Sequence, residues 1–147
     1  MEALIPSLST LIEIAVAPVF LLAGIAGFLN VMSGRLGRIT DRVRSAEKEI
    51  VTISSEQESG RLKSEIILLW KRVKLINWAI GFCTASAFMV CSVIMSLFAG
   101  ELWQGKLNVL VITLFILAML LLIFALLLFL LEVKLATATI RVIRTVR

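Results

Sequence analysis

The chain has 147 residues, a formal net charge of +5 and 60% hydrophobic residues. With a mean hydropathy of +1.03, this composition excludes an ordinary soluble domain. Histidine and tyrosine are absent and Asp41 is the only aspartate. His-based acid–base catalysis, a two-aspartate protease within one chain and a His/Cys metal site therefore lack their residues. We expect no enzyme, no cofactor, no metal site and no nucleic-acid partner.

Three long apolar stretches cover residues 11–33, 76–99 and 107–131. Each can cross the hydrocarbon core of a bilayer, which takes about 20 helical residues. The first stretch is too long for the apolar core of a signal peptide and follows Glu2 rather than a basic segment. The sequence predicts an all-α integral membrane protein: one domain, three transmembrane helices and a basic cytosolic tail at 132–147.

Residues 34–75, between the first two spans, carry an apolar repeat with alternating steps of three and four residues, which indicates helices packed along a heptad seam. The first seam consists of Leu22, Ile25, Leu29, Met32, Leu36, Ile39, Val43, Ala46, Ile50 and Ile53. The second consists of Leu62, Ile66, Leu69, Val73, Ile76, Ile80 and Cys83. With a polar turn at 54–60, we expect spans one and two to extend into a cytosolic antiparallel helical hairpin. The alternative is two amphipathic helices lying on the inner leaflet.

The distribution of basic residues predicts the orientation. Residues 34–75 hold ten Lys/Arg against six Asp/Glu, and the tail holds four Lys/Arg against one acid. The ends near Glu2 and at residues 100–106 carry few charges. The positive-inside rule then places the N-terminus outside and the C-terminus in the cytoplasm.

The second and third spans differ in their content of small residues. Span three is almost unbroken Leu, Ile, Phe and Met, so we expect it to face lipid. Span two has Gly81 and Ala85 in small-xxx-small spacing, which predicts close helix packing inside the bundle. Cys83 and Cys91 are eight positions apart on one helix, too far for a disulfide, and are interpreted as buried small residues.

Span one carries a stripe of small and polar positions with two bulky apolar members. We refer to the helix predicted to begin with this span as α1 and to the stripe as the α1 stripe: Glu13, Val16, Phe20, Ala23, Gly27, Asn30 and Gly34. Such a stripe has two explanations. It can be a close-packing face for another helix, or the wall of a pore on the axis of a homo-oligomer, narrowed at the phenylalanine.

Glu13 is relevant to the choice between a packing face and a pore wall. A ring of Glu13 side chains at the outer mouth would concentrate cations, whereas Thr10 and Glu13 also fit a helix capping box. Pro18 removes a helical hydrogen bond, so a kink or a helix start is expected there.

Three arginines, Arg35, Arg38 and Arg42, form a second stripe at the inner end of the first span. Their most common role is contact with anionic lipid headgroups. In an oligomer they would crowd the inner mouth, where they would bind anions or hold a cation path shut.

Span one and the residues after it contain the motifs APVFLL at 17–22, RLGRI at 35–39 and DRVR at 41–44, together with Asn30. In these residues the sequence resembles an uncharacterised bacterial membrane family, domain of unknown function 2721. The resemblance implies a small bacterial inner-membrane protein and transfers no catalytic residues. The order of glutamate, valine, phenylalanine and basic residues on span one is also similar to the pore helix of calcium-release-activated channels.

We therefore expect a homo-oligomeric protein of the bacterial inner membrane that conducts ions, with cations favoured, through a pore lined by span one. The alternative is a non-conducting scaffold or sensor whose coiled hairpin binds a protein partner.

Overall fold

The structure, a computed structural model, describes residues 8–52, 55–99 and 107–145. These residues form three α-helices and no strand: α1 (Leu8–Thr52), α2 (Glu56–Ala99) and α3 (Leu107–Thr145). Each helix contains a segment long and apolar enough to cross a membrane. The prediction of an all-helical chain with three such segments is confirmed, and the three apolar helices indicate a multi-pass membrane protein.

Helix α1 runs without interruption through Pro18, which is buried. A helix start near Pro18 is therefore a wrong prediction, while a kink there stays a prediction. The capping-box interpretation of Thr10 is also wrong, because the helix begins at Leu8 and Thr10 already lies within it. Proline is tolerated here at the cost of the hydrogen bond that its nitrogen would donate to the Ile14 carbonyl.

The connection before α2 is shorter than the turn predicted at 54–60. Helix α2 begins at Glu56, so Glu56 to Gly60 are helical. The Ser55 hydroxyl accepts a hydrogen bond from the Glu58 amide at 3.5 Å, and its carbonyl accepts one from the Ser59 amide at 3.1 Å. Ser55 is therefore the N-cap, and Ser55 and Glu58 have the spacing of a capping box. Ile53 and Ser54 lie outside the described residues.

The chain divides into two compact units, each of which contains part of every helix. The first comprises the described parts of Met1–Leu29 and Phe82–Ile123. Its buried residues are Ala15, Pro18 and Ile25 of α1, Cys83, Ser86, Val90 and Val93 of α2, and Ala118 of α3. The buried Ser86 hydroxyl donates a hydrogen bond to the Ala118 carbonyl at 2.8 Å. Small residues at this contact allow the backbones of α2 and α3 to approach closely.

The second unit comprises the described parts of Asn30–Gly81 and Phe124–Arg147. Its buried residues are Met32, Ile39, Val43 and Ala46 of α1, Leu69, Ile76 and Ala79 of α2, and Ala125 and Glu132 of α3. Every described member of the two predicted apolar seams is buried or half-buried. The repeat in the sequence therefore correctly identified the packed faces of α1 and α2.

Helix α3 is mostly exposed, but one stripe is fully buried. Ala118, Ala125 and Glu132 each have 0% exposure and follow one another at seven-residue intervals. Leu121, which the sequence places toward lipid, is half-buried. Residues 132–145, predicted only as a basic tail, continue the helix.

Helix α2 packs through a different face from the one predicted by small-residue spacing. Gly81 is exposed, and a Cβ atom added there would have no heavy atom within 4 Å. The buried face runs instead through Ala79, Cys83 and Ser86. Both cysteines are free; Cys83 is buried as predicted, whereas Cys91 is exposed.

Candidate functional site: a buried glutamate and an arginine-lined cavity

A carboxylate from α3 lies between guanidinium groups from the other two helices. Glu132 Oε1 accepts hydrogen bonds from Arg72 Nη2 at 2.7 Å and Arg72 Nε at 3.1 Å. Glu132 Oε2 lies 2.9 Å from Arg35 Nη2. All three residues belong to the second compact unit, and the Glu132 side chain has 0% exposure. Arg35, Arg72 and Glu132 therefore connect all three helices by charge; we call them the ion triad.

The two arginines hold the carboxylate differently. Arg72 donates two hydrogen bonds to a single oxygen, whereas Oε2 accepts no hydrogen bond from the described residues despite its short distance to Arg35. The Arg35 contact is therefore mainly electrostatic. The Arg35 guanidinium also stands over the Phe129 ring, 5.2 Å from its centroid, a favourable cation–π distance. Together these contacts offset part of the large cost of burying a charge.

Sequence reasoning missed Arg72 and Glu132 as site residues. Glu132 was counted only as an acid in a basic tail. A signal was nevertheless present, because Ala118, Ala125 and Glu132 have the heptad spacing of a packed helix face. A glutamate on that face, directly after a long apolar stretch, requires a cationic partner.

The three arginines predicted at the inner end of span one border one cavity together with Arg72. Arg35, Arg38, Arg42 and Arg72 line a cavity of about 500 Å³. Val31, Ile39 and Leu69 form its apolar parts. We call it the arginine cavity, and all its lining residues lie in the second compact unit.

Arg42 has an acidic partner of its own. Its Nε and Nη2 atoms lie 2.9 Å and 2.8 Å from Glu65 Oε1, and both side chains are exposed. This pair joins α1 to α2 and, because it is solvated, contributes little to stability. Arg38 makes no salt bridge to the described residues.

All seven residues of the α1 stripe are exposed. Phe20 is 73% exposed, and among the large apolar side chains of α1 whose exposure is described only Val51 has a higher value. A Cβ atom added at Gly27 would meet nothing within 4 Å, and one at Gly34 would meet only Arg38 Nη1, at 3.9 Å. Neither α2 nor α3 of the same chain covers this face of α1.

Among the described residues, no group of three or more His, Cys, Asp or Glu side chains is placed to hold a metal ion.

Three apolar helices joined by a buried ion triad define a small helical membrane protein. A family model described as "Protein of unknown function (DUF2721)" matches residues 15–142. The chain belongs to this family, as the motifs of span one indicated. The matched range includes the complete ion triad and begins after Glu13. Searches of curated proteins and of solved structures found no match.

Proposed function

We propose that this protein forms a homo-oligomeric pore for cations, with α1 of each subunit lining the path. The exposure of the whole α1 stripe, from Glu13 to Gly34, carries the proposal. No helix of the described part of the chain covers this face, so it is available to face the axis of a symmetric ring.

The side chains along the stripe suit such a path. Glu13 supplies negative charge at one end, and a ring of carboxylates attracts cations into a pore. Val16 and Phe20 supply the apolar constriction, which closes a pore by excluding water. Ala23, Gly27, Asn30 and Gly34 leave room for water beyond it.

The proposed placement in the membrane follows the positive-inside rule. The N-terminus lies outside and the C-terminus in the cytoplasm of a bacterial inner membrane. The ends of α1 and α2 that meet near Ser55 then form a cytosolic antiparallel hairpin. Arg35, Arg38 and Arg42 lie at the inner membrane face, near anionic lipids.

Conductance of the purified full-length protein in a planar bilayer tests the pore. Glu13→Gln should reduce cation over anion selectivity with assembly unchanged, because the amide retains the shape and removes the charge. Glu47→Gln is the matched control, since Glu47 is also exposed on α1 but lies outside the stripe. An intact oligomer that passes no current under any voltage or membrane tension refutes the pore.

A non-conducting scaffold or sensor is the second candidate, and the lengths of α1 and α2 favour it. They contain 45 and 44 residues, more than twice the roughly 20 that a bilayer needs. A paired helical arm of that length offers a surface for a protein partner. A silent oligomer with a dry, closed interface along the α1 stripe would support this role.

A further inference from the structure

We propose that the arginine cavity is a binding site for a phosphate-bearing anion, either a lipid headgroup or a soluble phosphate. The site lies within one compact unit and shares no residue with the α1 stripe. The proposal therefore goes beyond ion conduction and holds whether or not the protein forms a pore.

The charge balance around the cavity favours an anion. Four arginines line it, and the only carboxylates that form salt bridges with them among the described residues are Glu132 and Glu65. Two positive charges therefore lack a counter-charge from these pairs. Arg38 is the lining arginine that makes no salt bridge to the described residues. Its guanidinium is therefore the group best placed to pair with an added anion.

The number of available donors also fits a phosphate group. A guanidinium group carries five N–H donors in a planar fork that matches phosphate oxygens. Arg72 uses two nitrogens on Glu132, and Arg35 approaches it with one. Both keep unused donors at the edge of the cavity, and the ion triad fixes their position before a ligand arrives. Such pre-organisation lowers the entropic cost of binding.

The cavity is larger than one small ion requires. Its volume of about 500 Å³ lies in the range of small-molecule sites. Val31, which is 54% exposed, lines it beside the arginines and belongs to the apolar stretch of span one. A phosphate attached to an apolar group could therefore place its charge among the arginines and its apolar part against Val31.

The test uses the full-length protein in an uncharged detergent and two probes. Calorimetric titration with inorganic phosphate measures the soluble source. Retention of phosphatidic acid in native mass spectrometry measures the lipid source. Oleate at equal concentration is the comparison that separates binding of phosphate from binding of carboxylate.

Arg38→Gln should weaken binding roughly tenfold, as expected for one charge-assisted contact. Arg44→Gln, the same change at an exposed residue of α1 outside the cavity, should have less than about a twofold effect.

Each result has a defined meaning. Binding of both probes, weakened by Arg38→Gln alone, supports a phosphate site open to either source; binding of one probe identifies the source. No binding of either probe overturns the site. An equal loss of binding in Arg38→Gln and Arg44→Gln would mean diffuse attraction to a basic surface and would overturn the site. Retention of oleate as strong as that of phosphatidic acid would contradict the preference for phosphate. None of these readouts depends on conductance.

Discussion

Arg35 of α1 and Glu132 of α3 face each other at 2.9 Å, at a position where the carboxylate has no exposed surface. The Arg35 guanidinium contacts Glu132 on one side and the Phe129 ring on the other. Arg72 completes the arrangement from α2. Within the described ranges, Ser86 and Glu132 are the only buried polar residues, and Glu132 alone of the two forms ion pairs between helices.

Glu132→Gln should strongly destabilise the protein. The substitution leaves Arg35 and Arg72 partly buried without a counter-charge, and breaking a buried pair typically costs about 3–5 kcal/mol. Glu65→Gln is the matched control, because it removes the partner of an exposed arginine and should cost about 1 kcal/mol or less. Equilibrium unfolding in mixed micelles measures both. Similar losses for the two variants would contradict the structural role of the triad.

Val43→Asp should loosen the packing of the second half of α1. Val43 is 3% exposed within the first seam, and a carboxylate there would be buried without a partner. Val51→Asp introduces the same charge on the same helix at a site that is 83% exposed, and should have little effect. Limited proteolysis of the two proteins provides the comparison. If Val43→Asp resists the protease as well as the wild type, the seam is not a packed interface.

A cysteine introduced at Ser55 should be shielded from an impermeant thiol reagent in intact cells, whereas one at Gln104 should react. The positive-inside rule predicts that residues 34–75 lie in the cytoplasm and residues 100–106 outside. Cys83 and Cys91 must first be replaced; Cys91 matters most because it is exposed. Residue 104 lies outside the described residues, so this prediction rests on charge alone. Reaction at position 55 and not at 104 would reverse the orientation.

Phe20→Ala should raise the basal conductance of the proposed pore by widening its narrowest point. Phe88→Ala is the matched control, since Phe88 on α2 is 69% exposed against 73% for Phe20 and lies outside the stripe. Single-channel recording measures both. An increase in both variants, or in neither, would argue against Phe20 as the constriction.

The sequence predicted the packed faces of α1 and α2 well because a seam is a local, repeating pattern. Met32, Ile39 and Val43 follow the helical period, so their burial follows from spacing alone. The predicted start of α2 was wrong because the local pattern of polar residues there is ambiguous. Polar residues such as Glu56 and Glu58 suit both a turn and the first turn of a helix, where they complement the helix dipole.

The candidate site was only partly predictable. Arg35, Arg38 and Arg42 were recognised as a stripe because they share one helix. Arg72 and Glu132 belong to other helices. A single sequence does not reveal which acidic residue of one helix pairs with which basic residue of another. Only the packing of the three helices specifies that pairing.

The buried stripe of α3 has a consequence for how the protein assembles. Leucine and isoleucine make up 15 of the 25 residues at 107–131, so we expect that sliding the helix by one turn changes its apolar contacts very little. Only one placement gives Glu132 two guanidinium partners, and any other leaves a carboxylate among apolar groups at a cost of several kcal/mol. We expect α3 to enter the membrane by hydropathy and then to find its position by charge. Glu132 would thus distinguish the correct position of α3 from shifted positions whose apolar contacts are nearly equivalent.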